Sequence, residues 1–225
     1  MNELKSARRF PKRRWMALAL LVALFAWVAF DLYAPRRTSL RDFNPDEVAR
    51  LETAMWRSYY GRERLKLFLQ LAELLRTQYR LRFWRSNVTA FRAARAAFVF
   101  KDGHSRADYE KALPDLVKFY EAVRSVSDTP FDTERAARLE LEWWIIHRER
   151  KRHAPADLER ALAELPSELY RVPIEPLAEH ARLRAQAMLI RDDRAETTNG
   201  VTQQDWQHID ELLHASWRSL HKVVN

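Results

Sequence analysis

Apolar and polar positions divide this chain into a short apolar segment near the N-terminus and a long body with a helical period. Trp15–Phe30 is a run of sixteen apolar residues, and the chain stays apolar at 32–34. A helix of about twenty residues is about 30 Å long, which matches the hydrocarbon thickness of a bilayer. The pattern therefore predicts a transmembrane helix over residues 15–34, behind an N-terminal flank of residues 1–14.

A cleaved secretory signal is the main alternative for this segment. Such a signal has an apolar core of roughly 7–15 residues, followed by small residues at the cleavage site. Cleavage after Ala34 would place Leu32 three residues before the cut and Pro35 directly after it, and neither suits such a site. An interfacial or buried helix is a further alternative. We expect an uncleaved signal anchor.

The cations on either side of the apolar segment predict its orientation. Six cations precede the segment and three follow it: Lys5, Arg8, Arg9, Lys12, Arg13 and Arg14 before it, and Arg36, Arg37 and Arg41 after it. The positive-inside rule then places the N-terminus in the cytoplasm. We expect a single-pass protein of the inner (cytoplasmic) membrane, with the rest of the chain on the extracytoplasmic side.

The net charge of +8 belongs almost entirely to the N-terminal part of the chain. Residues 1–41 contain nine basic and two acidic residues, whereas residues 42–225 contain 30 basic and 29 acidic ones. A basic flank beside a membrane helix is suited to anionic lipid headgroups. We therefore expect the lipid bilayer and its headgroups as partners, and we do not expect nucleic acid.

The body, residues 44–225 behind a linker of residues 35–43, is predicted to be one all-α domain. Glycine occurs only three times, alternating strand patterns are absent, and Ala, Leu, Arg and Glu dominate. A body of about 180 residues suits a single domain with its own core. The predicted fold is a transmembrane helix followed by a bundle of about six to eight helices.

Capping signals and helix breakers set the expected helix boundaries. Asn44-Pro45-Asp46-Glu47 is typical of a helix start, and that helix should run to Tyr60. A long pattern from Glu63 to Phe100 follows, with a break expected at Ser86-Asn87. Further helices are expected from Ser105 with a kink or restart at Pro114, from Asp132 to about Arg152, from Pro155 to before Pro166, from Glu175 to Asp192 and from Thr202 onward, with a loop over residues 165–176.

Two of these helices place polar groups on their apolar faces. At 100° per residue, Glu140 and His147 lie on the apolar arc of the helix that begins at Asp132. Glu52 and Tyr59 lie in the same way on the first helix of the body. A buried carboxylate is costly unless it is paired or hydrogen-bonded, so we expect both glutamates to be buried with partners. If the two helices pack together, the four side chains converge.

Three interpretations of this polar cluster are open. Carboxylates and histidines on facing helices build di-metal centres, but that pattern needs two Glu-x-x-His pairs and the chain has one, Glu211 to His214. Glu140 and His147 are seven residues apart, about 10.5 Å along a helix, which is too far to bind one ion. We favour a structural hydrogen-bond network and expect no metal. A polar pocket for a small ligand is the third interpretation.

A second candidate surface is the stretch 74–101, which has seven cations and no acid. Interleaved Phe83, Trp84 and Phe91 are suited to a membrane surface, an anionic partner or a stacked base. The plainer alternative, which we favour, pairs the cations with acids of the 132–149 helix or leaves them in solvent. The candidate contact residues are Arg76, Arg80, Arg82, Arg85, Arg92 and Arg95.

No motif in the chain indicates a particular reaction. There is no cysteine and no Gly-x-Ser-x-Gly, and three glycines cannot build a Gly-rich phosphate loop. We expect a membrane-anchored interaction or envelope-associated module that acts by binding rather than by catalysis, with a protein as a candidate partner and no cofactor. The alternative is a ligand-binding or metal-dependent helical enzyme that uses Glu52, Tyr59, Glu140 and His147.

Overall fold

The computed structural model describes residues 12–34 and 36–225, and it divides the chain into two compact units. The first unit, residues 1–34, contains α1 (Lys12–Tyr33). Its residues 13–33 are long and apolar enough to cross a membrane, judged by length and composition alone. The predicted basic flank, residues 1–14, lies largely outside the described residues.

The second unit, residues 35–225, is all-helical over its described residues, which confirms the predicted fold class. The pairing of Thr38 with Ser127 is an isolated bridge and belongs to no strand. Short 3₁₀ turns precede α6, follow α7 and precede α9. The helices of this unit are α2 (Pro45–Tyr60), α3 (Arg64–Thr77), α4 (Phe83–Asp102), α5 (Arg106–Tyr109), α6 (Leu113–Val126), α7 (Thr133–Arg148), α8 (Pro155–Tyr170), α9 (Ala178–Ala195) and α10 (Gln203–Val224).

The eight long helices of this unit form a closed ring. Each helix packs against the next in the order α2, α3, α4, α6, α7, α8, α9, α10, and α10 packs back against α2. The chain runs alternately up and down, so the C-terminal ends of α2, α4, α7 and α9 meet at one end of the ring. Lys101 at the end of α4 binds the Tyr59 carbonyl of α2 there, and Arg191 of α9 lies over the Tyr60 ring.

Several helix starts follow the capping signals in the sequence. The Asn44 side chain accepts from the amides of Asp46 and Glu47, at 3.0 and 3.2 Å. Thr202 and Asp205 form a reciprocal capping box at the start of α10, with contacts of 2.9 and 3.2 Å. These side chains satisfy amide groups that have no partner inside the helix, and they fix where each helix begins.

The break in the long 63–100 pattern lies earlier than expected, at residues 78–82 rather than at Ser86-Asn87. Arg80 adopts a left-handed backbone conformation with φ of 58°, which ends helical geometry there. Ser86 and Asn87 instead donate their side-chain groups to the Phe83 carbonyl, inside the first turn of α4. Their polarity belongs to a helix start and not to a break.

The expectation that a helix stops before Pro166 is wrong, because α8 runs through Pro166 to Tyr170. A proline inside a helix removes one backbone hydrogen bond, which tertiary packing can offset. Leu162, Leu165 and Tyr170 are all buried on either side of it. The helix ends where Arg171 turns left-handed, with φ of 53°.

The predicted linker, over its described residues 36–43, belongs to the second unit and packs against its helices. Leu40 and Phe43 are buried in the core of the unit. Arg41 donates to the carbonyl of Tyr170 at 2.7 Å and also to the carbonyl of Val224. This segment therefore fastens the ends of α8 and α10. With its ring closed and its core internal, the second unit has the anatomy of an independently folding domain.

Candidate functional site

The ring of helices encloses a partly open cavity of about 480 Å³. Its wall is mostly aliphatic and aromatic, with charged groups at two levels along the helices. Prominent in the wall are Met55, Trp56, Tyr79, Phe100, Leu116, Phe119, Tyr120, Trp143, Trp144, Met188 and Trp217. A cavity of this size and composition is typical of small-molecule sites, which measure roughly 300–1,000 Å³.

The first charged level centres on Glu52, whose exposure is only 4%. Arg184 of α9 donates to Glu52 Oε1 through Nε at 3.0 Å and through Nη2 at 2.6 Å. The indole N–H of Trp217 donates to Glu52 Oε2 at 2.5 Å. The Arg184 guanidinium also lies 5.0 Å from the centre of the Trp143 ring. The buried carboxylate therefore has a charged partner and a neutral one, as a low-polarity interior requires.

Glu140 lies at the same level on α7 and has neutral partners. The Tyr120 hydroxyl donates to Glu140 Oε2 at 2.8 Å, and Trp144 Nε1 donates to Glu140 Oε1 at 2.9 Å. The expectation of a hydrogen-bonded carboxylate is confirmed for both glutamates. Glu140 is half-buried, however, and only Glu52 is fully buried. We call Glu52, Glu140, Arg184 and their donors the inner cluster.

Protonation states around the inner cluster follow from burial and from these charges. Burial opposes the charge of Arg184, but Glu52 and Glu140 raise its pKa above the ordinary value. Burial together with Glu140 raises the pKa of Tyr79 to about 12. Burial, reinforced by the charge of Arg184, lowers the pKa of His180 to about 3. We call the inner cluster together with the neighbouring Tyr79 and His180 the inner region. At neutral pH this region contains a charged arginine, protonated phenols and a neutral imidazole.

The second charged level lies two helical turns further along α7 and α9, about 10 Å toward their C-terminal ends. We call its members, His147, Arg148, Arg150, Arg191 and Asp192, the outer cluster. The Asp192 carboxylate lies 3.1 Å from His147 Nε2, 3.1 Å from Arg150 Nη1 and 2.8 Å from Arg191 Nη1. Burial alone would raise the pKa of Asp192, but His147, Arg191 and Arg150 lower it to about 2.

Backbone carbonyl groups at the helix ends accept hydrogen bonds from two cations at this level, Arg148 and Lys101. Arg148 donates to the carbonyls of Lys101 and Gly103, at 3.4 and 3.3 Å. Lys101 Nζ donates to the Tyr59 carbonyl at 2.9 Å. Burial, followed by the neighbouring charges of Arg62 and Arg191, lowers the pKa of Lys101. Cations thus crowd this end of the cavity.

The structure brings all four predicted cluster residues to one cavity, but at two levels. Glu52 and Glu140 belong to the inner level, whereas Tyr59 and His147 lie at the outer end. Their helices, α2 and α7, are not neighbours in the ring and contribute to the cavity from separate positions. The aromatic side chains of α7, Trp143 and Trp144, line the cavity.

Sequence reasoning missed Arg184 and Arg191, which supply the cations at the two levels. Both lie on one face of α9, because Arg184 and Arg191 are seven residues apart and Met188 lies between them. His180 continues the same face one turn earlier. A helical-phase analysis of α9 like that applied to α2 and α7 would have found two arginines on an apolar stripe.

The six arginines of the predicted contact surface do not line the cavity. Arg92 Nη1 and Arg95 Nε bind the buried Asp115 of α6, at 3.0 and 2.5 Å. Arg80 binds Asp42 at 3.2 Å. The acids paired with these three arginines thus come from α6 and the 36–43 segment rather than from α7. The other members of the set are Arg76, Arg82 and Arg85.

Within the described part of the chain, no three His, Asp or Glu side chains are grouped as metal ligands would be. His214 of the single Glu-x-x-His spacing instead places Nδ1 2.8 Å from the Asp210 carbonyl. No family model matches this chain, and neither the curated proteins nor the solved structures include a match to it.

Proposed function

We propose that this protein is a membrane-tethered binding protein whose helical ring takes up a small amphipathic molecule. The observation that carries the proposal is the cavity of about 480 Å³ inside the ring, with a mainly aromatic and aliphatic wall. Such a cavity can desolvate most of the surface of a small ligand, and its few charged groups can orient that ligand.

The hydrogen bonds that the two glutamates accept favour a binding function over a catalytic one. Glu52 is engaged by Arg184 and Trp217, and Glu140 by Tyr120 and Trp144. A carboxylate that serves as general base or metal ligand needs a lone pair directed at the substrate or the ion. Here both carboxylates accept hydrogen bonds on both oxygens from other side chains of the domain, which is the arrangement of a structural network.

Tethering is the second part of the proposal. The length and apolar composition of α1 support a membrane span. The excess of cations before the segment supports a cytoplasmic N-terminus, with the ring on the extracytoplasmic side of the inner membrane. A reporter that is active only outside the cytoplasm, fused after Asn225, should be active. Activity of a cytoplasmic reporter at the same position would reverse this orientation.

Binding can be tested with N-phenyl-1-naphthylamine, a neutral probe whose fluorescence rises in apolar surroundings. Residues 36–225 of the second unit are first checked for helical content by circular dichroism and then titrated with the probe. We expect saturable binding of one probe per chain. Ala97→Phe, which fills the cavity from α4, should weaken binding at least tenfold.

The matched control is Ala215→Phe, which adds the same ring to an exposed position of α10. It should leave probe affinity within about twofold of the wild type, because its side chain points away from the core. Unsaturable fluorescence, or equal effects of the two substitutions, would rule out the cavity as the binding site.

A second candidate function, an interaction through α3 and α4, is favoured by the apolar side chains that these helices expose. Leu65 and Leu69 are 72% and 55% exposed, and Val88 and Phe91 are 48% and 53% exposed. We take the membrane surface as the occupant, because these exposed side chains are apolar and a tethered domain stays close to the bilayer.

Because the chain contains no cysteine, single-cysteine labelling can test this surface. Leu69→Cys carries an environment-sensitive fluorophore in the full chain, reconstituted in nanodiscs that contain lipid-attached quenchers. We expect quenching at this position and none at Glu211→Cys, an exposed control on α10. Equal quenching at both positions would exclude a specific membrane-facing surface.

A further inference from the structure

Two buried N–H groups of side chains that line the cavity have no hydrogen-bond acceptor. They are Trp143 Nε1 on α7 and Arg191 Nε on α9. His147, one turn after Trp143 on α7, instead has Asp192 3.1 Å from its Nε2. A buried donor without an acceptor is destabilising, so these groups need an explanation.

The acceptors near these donors are already shared among several cations. Asp192 contacts His147, Arg150 and Arg191 at once. Arg150 also reaches Glu196 at 3.1 Å. Of the three arginines in the outer cluster, Arg150 and Arg191 contact Asp192, whereas Arg148 binds backbone carbonyls. Together with Asp192 and Glu196 they carry a formal charge of +1. Positive charge and unused donors therefore coincide at this end of the cavity.

The inner cluster has the opposite character. Its formal charge is −1, from Glu52, Glu140 and Arg184, and the donors on both carboxylates are in place. An anion placed there would lie beside Glu140 with no unused donor to bind it. The two ends of the cavity thus prefer different parts of a ligand.

We propose that the outer cluster binds the oxyanion head group, a carboxylate or a phosphate, of an amphipathic ligand whose apolar body lies against the aromatic wall. Trp143 and Arg191 supply the hydrogen bonds, and the surplus arginine charge supplies the attraction. This inference rests on the proposed function, because it specifies the head group of the molecule that the cavity would hold.

A matched set of water-soluble probes separates the head group from the apolar body. The probes are 4-phenylbutyrate, 4-phenylbutan-1-ol and 4-phenylbutylamine, measured by calorimetry on residues 36–225 and on the full chain in nanodiscs, with empty nanodiscs as the blank. We expect the carboxylate to bind at least tenfold more tightly than the alcohol, and the amine to bind most weakly. Phenyl phosphate, as a second anion, shows whether a phosphate is accepted in place of a carboxylate.

Two substitutions test the assigned donors. Arg191→Met should remove most of the carboxylate-to-alcohol preference. Trp143→Phe, a milder change that deletes one N–H, should reduce that preference about threefold. The matched control is Arg182→Met on the exposed face of α9, where Arg182 pairs with Glu179. It should leave the ratio of affinities unchanged.

The outcomes distinguish this inference from the proposed function. In one outcome, N-phenyl-1-naphthylamine binds in the cavity while 4-phenylbutylamine binds as tightly as 4-phenylbutyrate or more tightly. That result leaves the proposed function standing and overturns the inference. An unchanged preference in both Arg191→Met and Trp143→Phe also overturns it. If N-phenyl-1-naphthylamine itself does not bind, the proposed function fails first.

Discussion

Glu52 and Arg191 line the same cavity, but their surroundings differ in one respect that decides how each is interpreted. Both oxygens of Glu52 accept hydrogen bonds, from Arg184 and from Trp217. Arg191 stacks on Tyr60 and contacts Asp192, while its Nε has no acceptor. The inner cluster is a completed network, whereas the outer cluster retains unused hydrogen-bonding capacity.

This difference shows that burial of polar groups is by itself a poor guide to function. Apart from the exposed Arg148, both clusters are at least half-buried, and both contain carboxylate and arginine side chains. A network whose donors and acceptors match stabilises one arrangement of helices, while an unmatched one stores free energy that a ligand can recover. Substitutions should therefore destabilise the fold strongly in the inner cluster and weakly in the outer cluster.

The largest effect is expected for Glu52→Ala. Its removal leaves the guanidinium of Arg184 buried without its main counter-charge, which costs about 3–5 kcal/mol. Chemical denaturation of the variant measures this loss. Glu47→Ala on the exposed side of the same helix breaks a surface pair with Arg50 and should cost less than about 1 kcal/mol.

The double variant Glu52→Leu/Arg184→Met provides a further control. Removing both charges should recover most of the stability lost in Glu52→Ala, because an apolar pair of similar volume is tolerated where a single charge is not. A small loss in Glu52→Ala alone would mean that solvent reaches Arg184, and the inner cluster would then resemble the outer one.

Glu140→Ala should have a smaller effect, about 1–3 kcal/mol. The substitution leaves the Tyr120 hydroxyl and the Trp144 N–H without their acceptor, but no charge is orphaned by direct contact. Thermal and chemical denaturation again measure the effect. An unchanged or increased stability would instead identify Glu140 as part of a working site, and the comparison between the clusters would fail at that residue.

The fold class was predictable because it depends on local signals. Caps at Asn44 and Thr202, scarce glycine and a sustained helical period all point to helices, and the described structure is all-helical. The expected stop before Pro166 failed because packing on both sides of α8 overrides the local preference of a proline. A helix-breaking residue therefore ends a helix only where tertiary contacts are weak.

The candidate site was predictable only in part, for a related reason. Helical phase alone identified Glu52 and Glu140 as inward-facing, because phase is a property of one helix. The pairing of Glu52 with Arg184 joins residues 132 positions apart, and it depends on α9 lying beside α10 in a closed ring. No local pattern encodes that closure, so neither the cavity nor its unused donors could be inferred from the sequence.

The pH dependence of the free energy of unfolding tests whether water reaches the inner region. His180 has a pKa of about 3 in the folded protein, because it is buried and lies near Arg184, against 6.5 in its ordinary state. The unfolded chain therefore binds one more proton between these values, and the free energy of unfolding falls as the pH is lowered through this range. We expect a loss of about 2 kcal/mol between pH 6.5 and pH 4.5.

The control for this dependence is His180→Gln, which cannot take up the proton. The difference in stability between this variant and the wild type should shrink by the same amount over that pH range. A difference that stays constant with pH would show that His180 titrates normally, and hence that water reaches the inner region.

The prediction with the smallest expected effect compares the two clusters most directly, because it uses adjacent residues of the same type. Trp143 and Trp144 are both half-buried on α7, but only Trp144 donates its N–H, to Glu140. Replacing either by Phe removes similar volume and one N–H. Trp144→Phe should therefore be less stable than Trp143→Phe by about 1–2 kcal/mol, since it leaves a carboxylate oxygen without its donor. Equal stabilities in urea denaturation would mean that the Trp143 N–H already has a partner in solution. The difference between a satisfied and an unsatisfied N–H, on which the comparison of the two clusters rests, would then be absent at these two residues.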